Sequence, residues 1–153
     1  MSTETTAAAG KYLTFALADE SYGLPVLKVR EIITLMDVTP VPRVPAYVKG
    51  VINLRGKVIP VIDLRLFFGL DTGDSTDAMC IIVVEAIVSG RSGMFGVVVD
   101  CVSEVLQIAA GEIEPPPDLC GRLGTRHIVG MAKVKGDVKM LLDLDDALSA
   151  RAA

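Results

Sequence analysis

The residue types able to do chemistry are few and scattered. The one histidine, His127, is the natural metal ligand or proton shuttle, but it stands beside Arg126 with no cysteine or acid at metal-ligand spacing. Zinc chemistry and histidine-based acid catalysis therefore lack their parts. Ser89, Ser92 and Ser103 have no nucleophile-elbow pattern around them, and the acid pair Asp145 and Asp146 falls where a helix N-terminus favours acids anyway. The run RGKVIP lacks the spacing of a phosphate loop, and GRSGMFG reads as a hairpin turn rather than a dinucleotide fingerprint. Cys80, Cys101 and Cys120 are odd in number and form no C-x-x-C pair, which suits buried thiols in a reducing compartment. What is left is Arg55. It precedes Gly56 at the turn of GVINLRGKVIPVIDL, Gly50 to Leu64, where two strands would hold a planar, multi-donor side chain rigidly. Taken alone, that arginine is either a solvated turn residue or a contact for a partner.

The elements that position it come from an internal repeat. YGLPVLKVREII, from Tyr22, aligns with FGVVVDCVSEVL, from Phe95, at an offset of 73, matching Gly23 with Gly96, Val29 with Val102 and Glu31 with Glu104. GVINLRGKVIPVIDL aligns with GMAKVKGDVKMLLDL, from Gly130, at an offset of 80, matching Gly50, Gly56, Val58 and Asp63 with Gly130, Gly136, Val138 and Asp143. The offset changes because the Pro-rich connection EPPPDLCGRLGTRH is longer than its counterpart TPVPRVPAY. Each half carries one plan: strand, turn, strand ending in V-x-E, a Pro-rich connection, a hairpin about a glycine, then D-L opening a short helix. KYLTFAL alternates, with Leu13, Phe15 and Leu17 on one face. Asp63 caps LRLFFGL, with Gly69 to end it, and Asp143 caps LDDALSARAA.

About five short strands in some 70 residues favour a small barrel, which leaves few free edges. Two barrels side by side account for the repeat, and each is small enough to need a shared apolar seam. The chain thus divides into a disordered tail over residues 1–10, a first barrel over 11–75 and a second over 76–148 with a C-terminal helix. Agreement between the halves reads as fold: glycines for positive φ at turns, aliphatics for core, Asp for caps. Disagreement reads as function. Asn53, Arg55 and Pro60 face Lys133, Lys135 and Met140, so the hairpin itself does not demand them. Pro60 marks an edge or a bulge. Glu31, which recurs as Glu104, reads as structural.

Composition excludes several partner classes. The 153 residues are 51% hydrophobic, contain no Trp and carry a net charge of −4, a poor match to the phosphates and bases of nucleic acid. The leader MSTETTAAAG has no basic region or apolar core, and the longest apolar run, CIIVVEAIV, is half a membrane span and is interrupted by Glu85. A cytoplasmic protein without a membrane-inserted segment is expected, and with no reactive constellation it reads as a binding adaptor.

Three stretches, FALADESYGLPVLKVREI, TPVPRVPAYVKGVINLRGKVIPVIDLR and FGVVVDCVSEVL, resemble the bacterial chemotaxis coupling protein (CheW) family over about Lys11 to Leu148. Cys101 departs from the glycine common there. The resemblance implies a mainly β fold of two tandem SH3-like five-stranded β-barrels with short helices, and no catalysis, cofactor or metal. It implies a scaffold coupling chemoreceptors to a histidine autokinase, recruited from the cytoplasm to receptor arrays at the membrane and largely monomeric when isolated. The implied partners are the receptor's cytoplasmic hairpin tip, received in a groove between the barrels, and the kinase's regulatory domain, docked barrel on barrel. By position, the implied partner-binding residues are Val29, Glu31, Ile32, Gly50, Asn53, Leu54, Arg55 and Met79. Two alternatives stand beside this: the same adaptor in a non-flagellar pathway for pili, second messengers or development, and a small ligand-binding double barrel with its pocket in the seam.

Overall fold

The computed structural model describes residues 9–70, 79–88, 90–115, 128–145 and 148. Expectations for the tail over residues 1–8, for Ser89, Cys120, His127 and Asp146, and for most of the longer Pro-rich connection lie outside the described residues.

Val and Ile enrichment and the punctuating glycines give eleven strands among the described residues. In chain order they are β1 (Gly10–Leu17), β2 (Glu20–Pro25), β3 (Val29–Thr34), β4 (Val48–Leu54), β5 (Lys57–Asp63), β6 (Cys80–Val88), β7 (Arg91–Val99), β8 (Cys101–Ile108), β9 (Ile113–Glu114), β10 (Ile128–Val134) and β11 (Asp137–Leu142). A 3-10 turn, Val26–Lys28, links β2 to β3, and another, Ala110–Glu112, links β8 to β9. A short helix, α1 (Leu64–Phe67), follows β5. Asp63 caps it as expected, its Oδ1 accepting from Arg65 N at 3.0 Å. Gly69, at φ 73°, ends it: Leu70 N reaches back to Arg65 O at 2.8 Å. Leu144, Asp145 and Leu148 are helical after Asp143; the rest of that expected helix lies outside the described residues. No helix among the described residues is long and apolar enough to cross a membrane.

The strands form two sheets, of order β8-β1-β2-β11-β10-β9 and β3-β6-β7-β5-β4. In each, the chain leaving an edge strand crosses to the opposite edge. After β3, Thr39 exchanges two 2.9 Å backbone hydrogen bonds with Val51 of β4; after β8, the 3-10 turn leads into β9, which pairs with β10. This is the tandem SH3-like barrel arrangement, with one barrel of six strands rather than five because β9 is a strand and its counterpart at Thr39 a single bridge.

The contiguous division at residues 75 and 76 does not match the strand order. Each barrel takes strands from both halves: β1 and β2 join β8 to β11, while β3, β4 and β5 join β6 and β7. The repeat is therefore interlocked. The reason is visible at two parallel crossings that the repeat makes equivalent, β5 on β7 with Val61 opposite Gly96, and β11 on β2 with Leu141 opposite Gly23. Neither glycine has positive φ, which corrects the turn reading of this matched pair. They are small because the crossing strand is close: a Cβ on Gly96 would sit 2.8 Å from Ile81 Cγ2, and one on Gly23 3.1 Å from Leu141 Cδ2.

Three apolar clusters follow from strand alternation. Ile81, Val83 and Val98 point into the five-stranded barrel with Ile52, Ile59, Val61 and Met79. Tyr12, Ile108, Ala132 and Leu141 fill the six-stranded one. The opposite faces of the same strands, Leu13, Phe15 and Leu17 of β1 with Ile82, Val84, Val97 and Val99, form the expected seam between the barrels. Agreement between the halves is not always core: Val58 and its match Val138 are 69% and 46% exposed at the two hairpin ends.

Candidate functional site

The hairpin of β4 and β5 closes through a two-residue turn, with Leu54 opposite Lys57. Arg55 and Gly56 have φ of 53° and 86°, the mirror-image turn whose twist matches paired strands. Glycine adopts that conformation freely; an arginine in it costs roughly 1–2 kcal/mol of backbone strain. Two side chains hold the turn against that strain. Asn53 Oδ1 accepts from Gly56 N at 2.9 Å, and the Arg55 guanidinium grips Glu31 of β3 with both terminal nitrogens, Nη2 lying 2.9 Å from Oε2. The Arg55 hydrogen bond outweighs partial desolvation and holds the Glu31 carboxyl below its ordinary pKa; the same bond raises Arg55. The arginine side chain is nevertheless 72% exposed.

Pro60 has a different effect. Opposite Val51 in the β4–β5 ladder, it stands one residue before the β5–β7 pairing begins at Val61. In the second half that pairing runs further toward the turn, with Met140 and Lys139 joined to Tyr22 and Ser21. The proline, lacking an amide hydrogen, ends the ladder early. Between the unpaired ends of β5 and β7 lies an open cleft of about 450 Å3 lined by Lys57, Val58, Ile59, Glu85, Ser92 and Met94. Glu85 is fixed there by Ser92 Oγ, which donates at 2.7 Å, and by an ion pair with Arg30.

The expected residues separate into a surface and its support. Glu31 and Arg55 form a hydrogen-bonded pair at the hairpin end, Asn53 separately braces the turn through Gly56 N, and Ile32 is 45% exposed on β3. Leu54 and Val29 are half-buried, the first against the five-stranded core and the second against the seam. Gly50 and Met79 present no surface, which corrects their placement among contact residues. Met79 is 5% exposed inside the five-stranded barrel. Gly50, at φ 142°, is where Thr39 lies against β4, and a Cβ there would sit 2.0 Å from Thr39 O. Cys101 pairs with Ala16 without positive φ, and the irregularity of the β1–β8 ladder falls further along, between Leu13 and Phe15.

Sequence reasoning missed the cleft beside Pro60 and a run of exposed apolar side chains, Leu35, Met36, Val41 and Val44, on the β3–β4 connection. The signal for the run was present: a connection that rich in Pro and Val has no partner strand to bury it. A cavity of about 520 Å3 opens beside the six-stranded barrel at the edge of the seam: Leu24, Val26, Leu142 and Leu144 of the shared core line it together with Tyr12 and Leu27, so a hollow borders the seam where the ligand-binding alternative placed its pocket. No group of three or more His, Cys, Asp or Glu among the described residues is placed to hold a metal ion.

Comparisons with known proteins agree with this geometry. Residues 11–152 match the model of the CheW-like domain family. The chain is 36% identical over 140 residues to the chemotaxis protein CheW of Klebsiella aerogenes, covering 92% of this chain and 82% of that protein. It is 32% identical to protein FrzA of Myxococcus xanthus, covering 83% and 76%. Among solved structures it superposes on the scaffolding protein TtCheW of Thermoanaerobacter tengcongensis with a TM-score of 0.81, 36% identity and coverage of 91% and 92%.

Proposed function

The chain belongs to the CheW-like domain family, and on that premise we propose that it is a chemotaxis adaptor that couples chemoreceptors to a histidine autokinase. The observation that carries the reading to specific residues is the asymmetry of the two hairpins. The fold requires the turn, and both copies have it; only the leading copy arms it with an arginine locked to Glu31 and a cleft beside Pro60.

The arrangement suits docking more than chemistry. Glu31 engages one N–H on each terminal nitrogen of Arg55, leaving the remaining donors of an exposed, immobilised guanidinium for a partner's acceptors. Ile32, Leu35 and Met36 offer apolar area on and just beyond β3, and a helical hairpin laid there would gain burial from them and orientation from Arg55. Asn53, Leu54 and Val29 hold this surface from its edges, while Gly50 and Met79 hold it from within. The receptor tip is the partner proposed for this face, and the kinase regulatory domain for a separate barrel surface. The chain reaches the membrane through its receptor.

The test is reconstitution of the purified chain with receptor-bearing vesicles and the autokinase. Co-sedimentation of the three components and receptor-dependent kinase activity are expected. A chain that sediments with neither partner contradicts the reading.

A further inference from the structure

Two ion pairs stitch the barrels together with their charges reversed: Arg65 and Asp145 occupy matching places in the repeat, and their partners Asp100 and Lys28 fall one position apart. Arg65, in α1 beyond β5, meets Asp100 between β7 and β8, with Nη1 3.2 Å from Oδ1. Asp145, which matches Arg65 at the offset of 80, meets Lys28 in the 3-10 turn between β2 and β3 at 2.7 Å. Each acid also bonds a main-chain amide of the barrel opposite its base or acid-bearing element: Asp100 Oδ2 accepts from Ala18 N at 2.8 Å, and Asp145 Oδ1 from Ile87 N at 2.9 Å. Asp100 N adds a bond to Ala16 O at 3.0 Å.

The two stitches differ on the basic side: the Arg65 side chain is 8% exposed and that of Lys28 37%, while Asp100 at 30% and Asp145 at 28% are alike. Asp63 gives the buried guanidinium a second carboxylate, with Nε 3.2 Å from Oδ1 and Nη2 3.1 Å from Oδ2. One planar cation thus ties the end of β5 to the β7–β8 link, and through Asp100 to the β1–β2 turn of the other barrel. Asp100 Oδ1 is buried with no hydrogen-bond partner and faces the guanidinium at 3.2 Å, while Oδ2 is held by Ala18 N. The Lys28–Asp145 pair is a single contact at the rim of the 520 Å3 cavity, a place where solvent competes.

We infer that Arg65 is a positioning residue, the pivot that fixes the angle between the barrels, and that Lys28–Asp145 is the yielding side. A lysine at 65 reaches one acid but not both in plane, so the charge survives and the geometry does not. The signalling consequence rests on the adaptor proposed above: a scaffold that binds receptor on one face and kinase on another transmits only as well as its faces are held in register.

The test measures the angle and the coupling separately. In the full chain, with the native cysteines replaced by alanine, spin labels go on Lys57→Cys and Asp137→Cys, matched exposed positions in β5 and β11. Double electron–electron resonance reads the distance distribution between them. The parent and Lys28→Met are expected to give one narrow distribution; Arg65→Lys and Asp100→Asn are expected to widen it about twofold with the β circular dichroism unchanged. Both variants are also expected to bind receptor vesicles and kinase singly at near-parent affinity, but to support about tenfold less receptor-dependent kinase activity. Unchanged widths in folded Arg65→Lys and Asp100→Asn would overturn the inference, as would equal widening in Lys28→Met. If Arg65→Lys does not fold, Asp100→Asn, which leaves the Asp63 pair intact, decides; loss of fold in both makes the cluster a folding requirement and also overturns it. Widening together with a parent chain that binds neither partner would sink the adaptor reading and leave the pivot standing.

Discussion

The β4–β5 and β10–β11 hairpins are the same piece of backbone used twice. Arg55 and Lys135 share φ of 53° and 55°, Gly56 and Gly136 share 86° and 85°, and each basic side chain leans toward the glutamate that its own half carries in V-x-E. In the trailing copy that approach is loose, Lys135 Nζ standing 3.9 Å from Glu104 Oε2, with both groups well exposed. In the leading copy it is a two-point clamp, backed by Asn53 where the other copy has Lys133. The difference teaches that the strained turn belongs to the fold, while what is mounted on it is free to specialise.

The comparison breaks most severely at the hairpin's root. Gly50→Ala would drive a Cβ into Thr39 O, and a loss of more than about 3 kcal/mol, or no folded protein, is expected in urea unfolding. Gly56→Ala at the tip, where the space is open and only φ resists, should cost about 1 kcal/mol. Exchanging the turn locks sharpens the contrast: Asn53→Lys should lose about 1 kcal/mol with its bond to Gly56. Lys133→Ala should lose only a few tenths, since its exposed pair with Glu114 spans 3.8 Å. Pro60→Met, copying Met140, should extend the β5–β7 ladder and slow amide exchange beside Phe95, with stability changed by less than about 1 kcal/mol. The smallest effect is titrational. Because Arg55 holds Glu31 below its ordinary pKa, the clamp stabilises the fold above the usual carboxylate range and is lost as pH falls through the lowered value. In carboxyl-detected NMR the Glu31 midpoint should therefore rise in Arg55→Met; an unmoved midpoint would mean that the clamp is absent in solution.

Much of this was legible in the sequence because duplication supplies its own control. The strand plan, the Asp63 cap with its Gly69 stop, and the alternation of β1 into the seam all follow from local pattern. The exchange of strands between halves did not, because parallel pairing of β5 with β7 and β11 with β2 joins residues far apart, and no local pattern records which sheet a strand enters. Gly23 and Gly96 carried a trace of it, but glycine needed for space reads the same as glycine needed for a turn. At the site, Asn53, Arg55 and Pro60 stood out by mismatch, whereas their three distinct tasks needed coordinates. Met79 and Gly50 show the opposite error, since adjacency in a motif does not tell the wall from its backing. The Arg65 cluster escaped notice because D-L-R reads as an ordinary capped helix start, and Asp100 joins it from another strand pair.

The most direct test pairs Arg55→Glu with Lys135→Glu, reading circular dichroism for fold and equilibrium binding to receptor vesicles for function. With both variants folded, Arg55→Glu is expected to weaken binding by about thirtyfold or more, a hot-spot loss, and Lys135→Glu to change it by less than about twofold. Equal effects at the two turns, or a folded Arg55→Glu that binds as the parent does, would contradict the claim that the leading hairpin is the partner-binding copy.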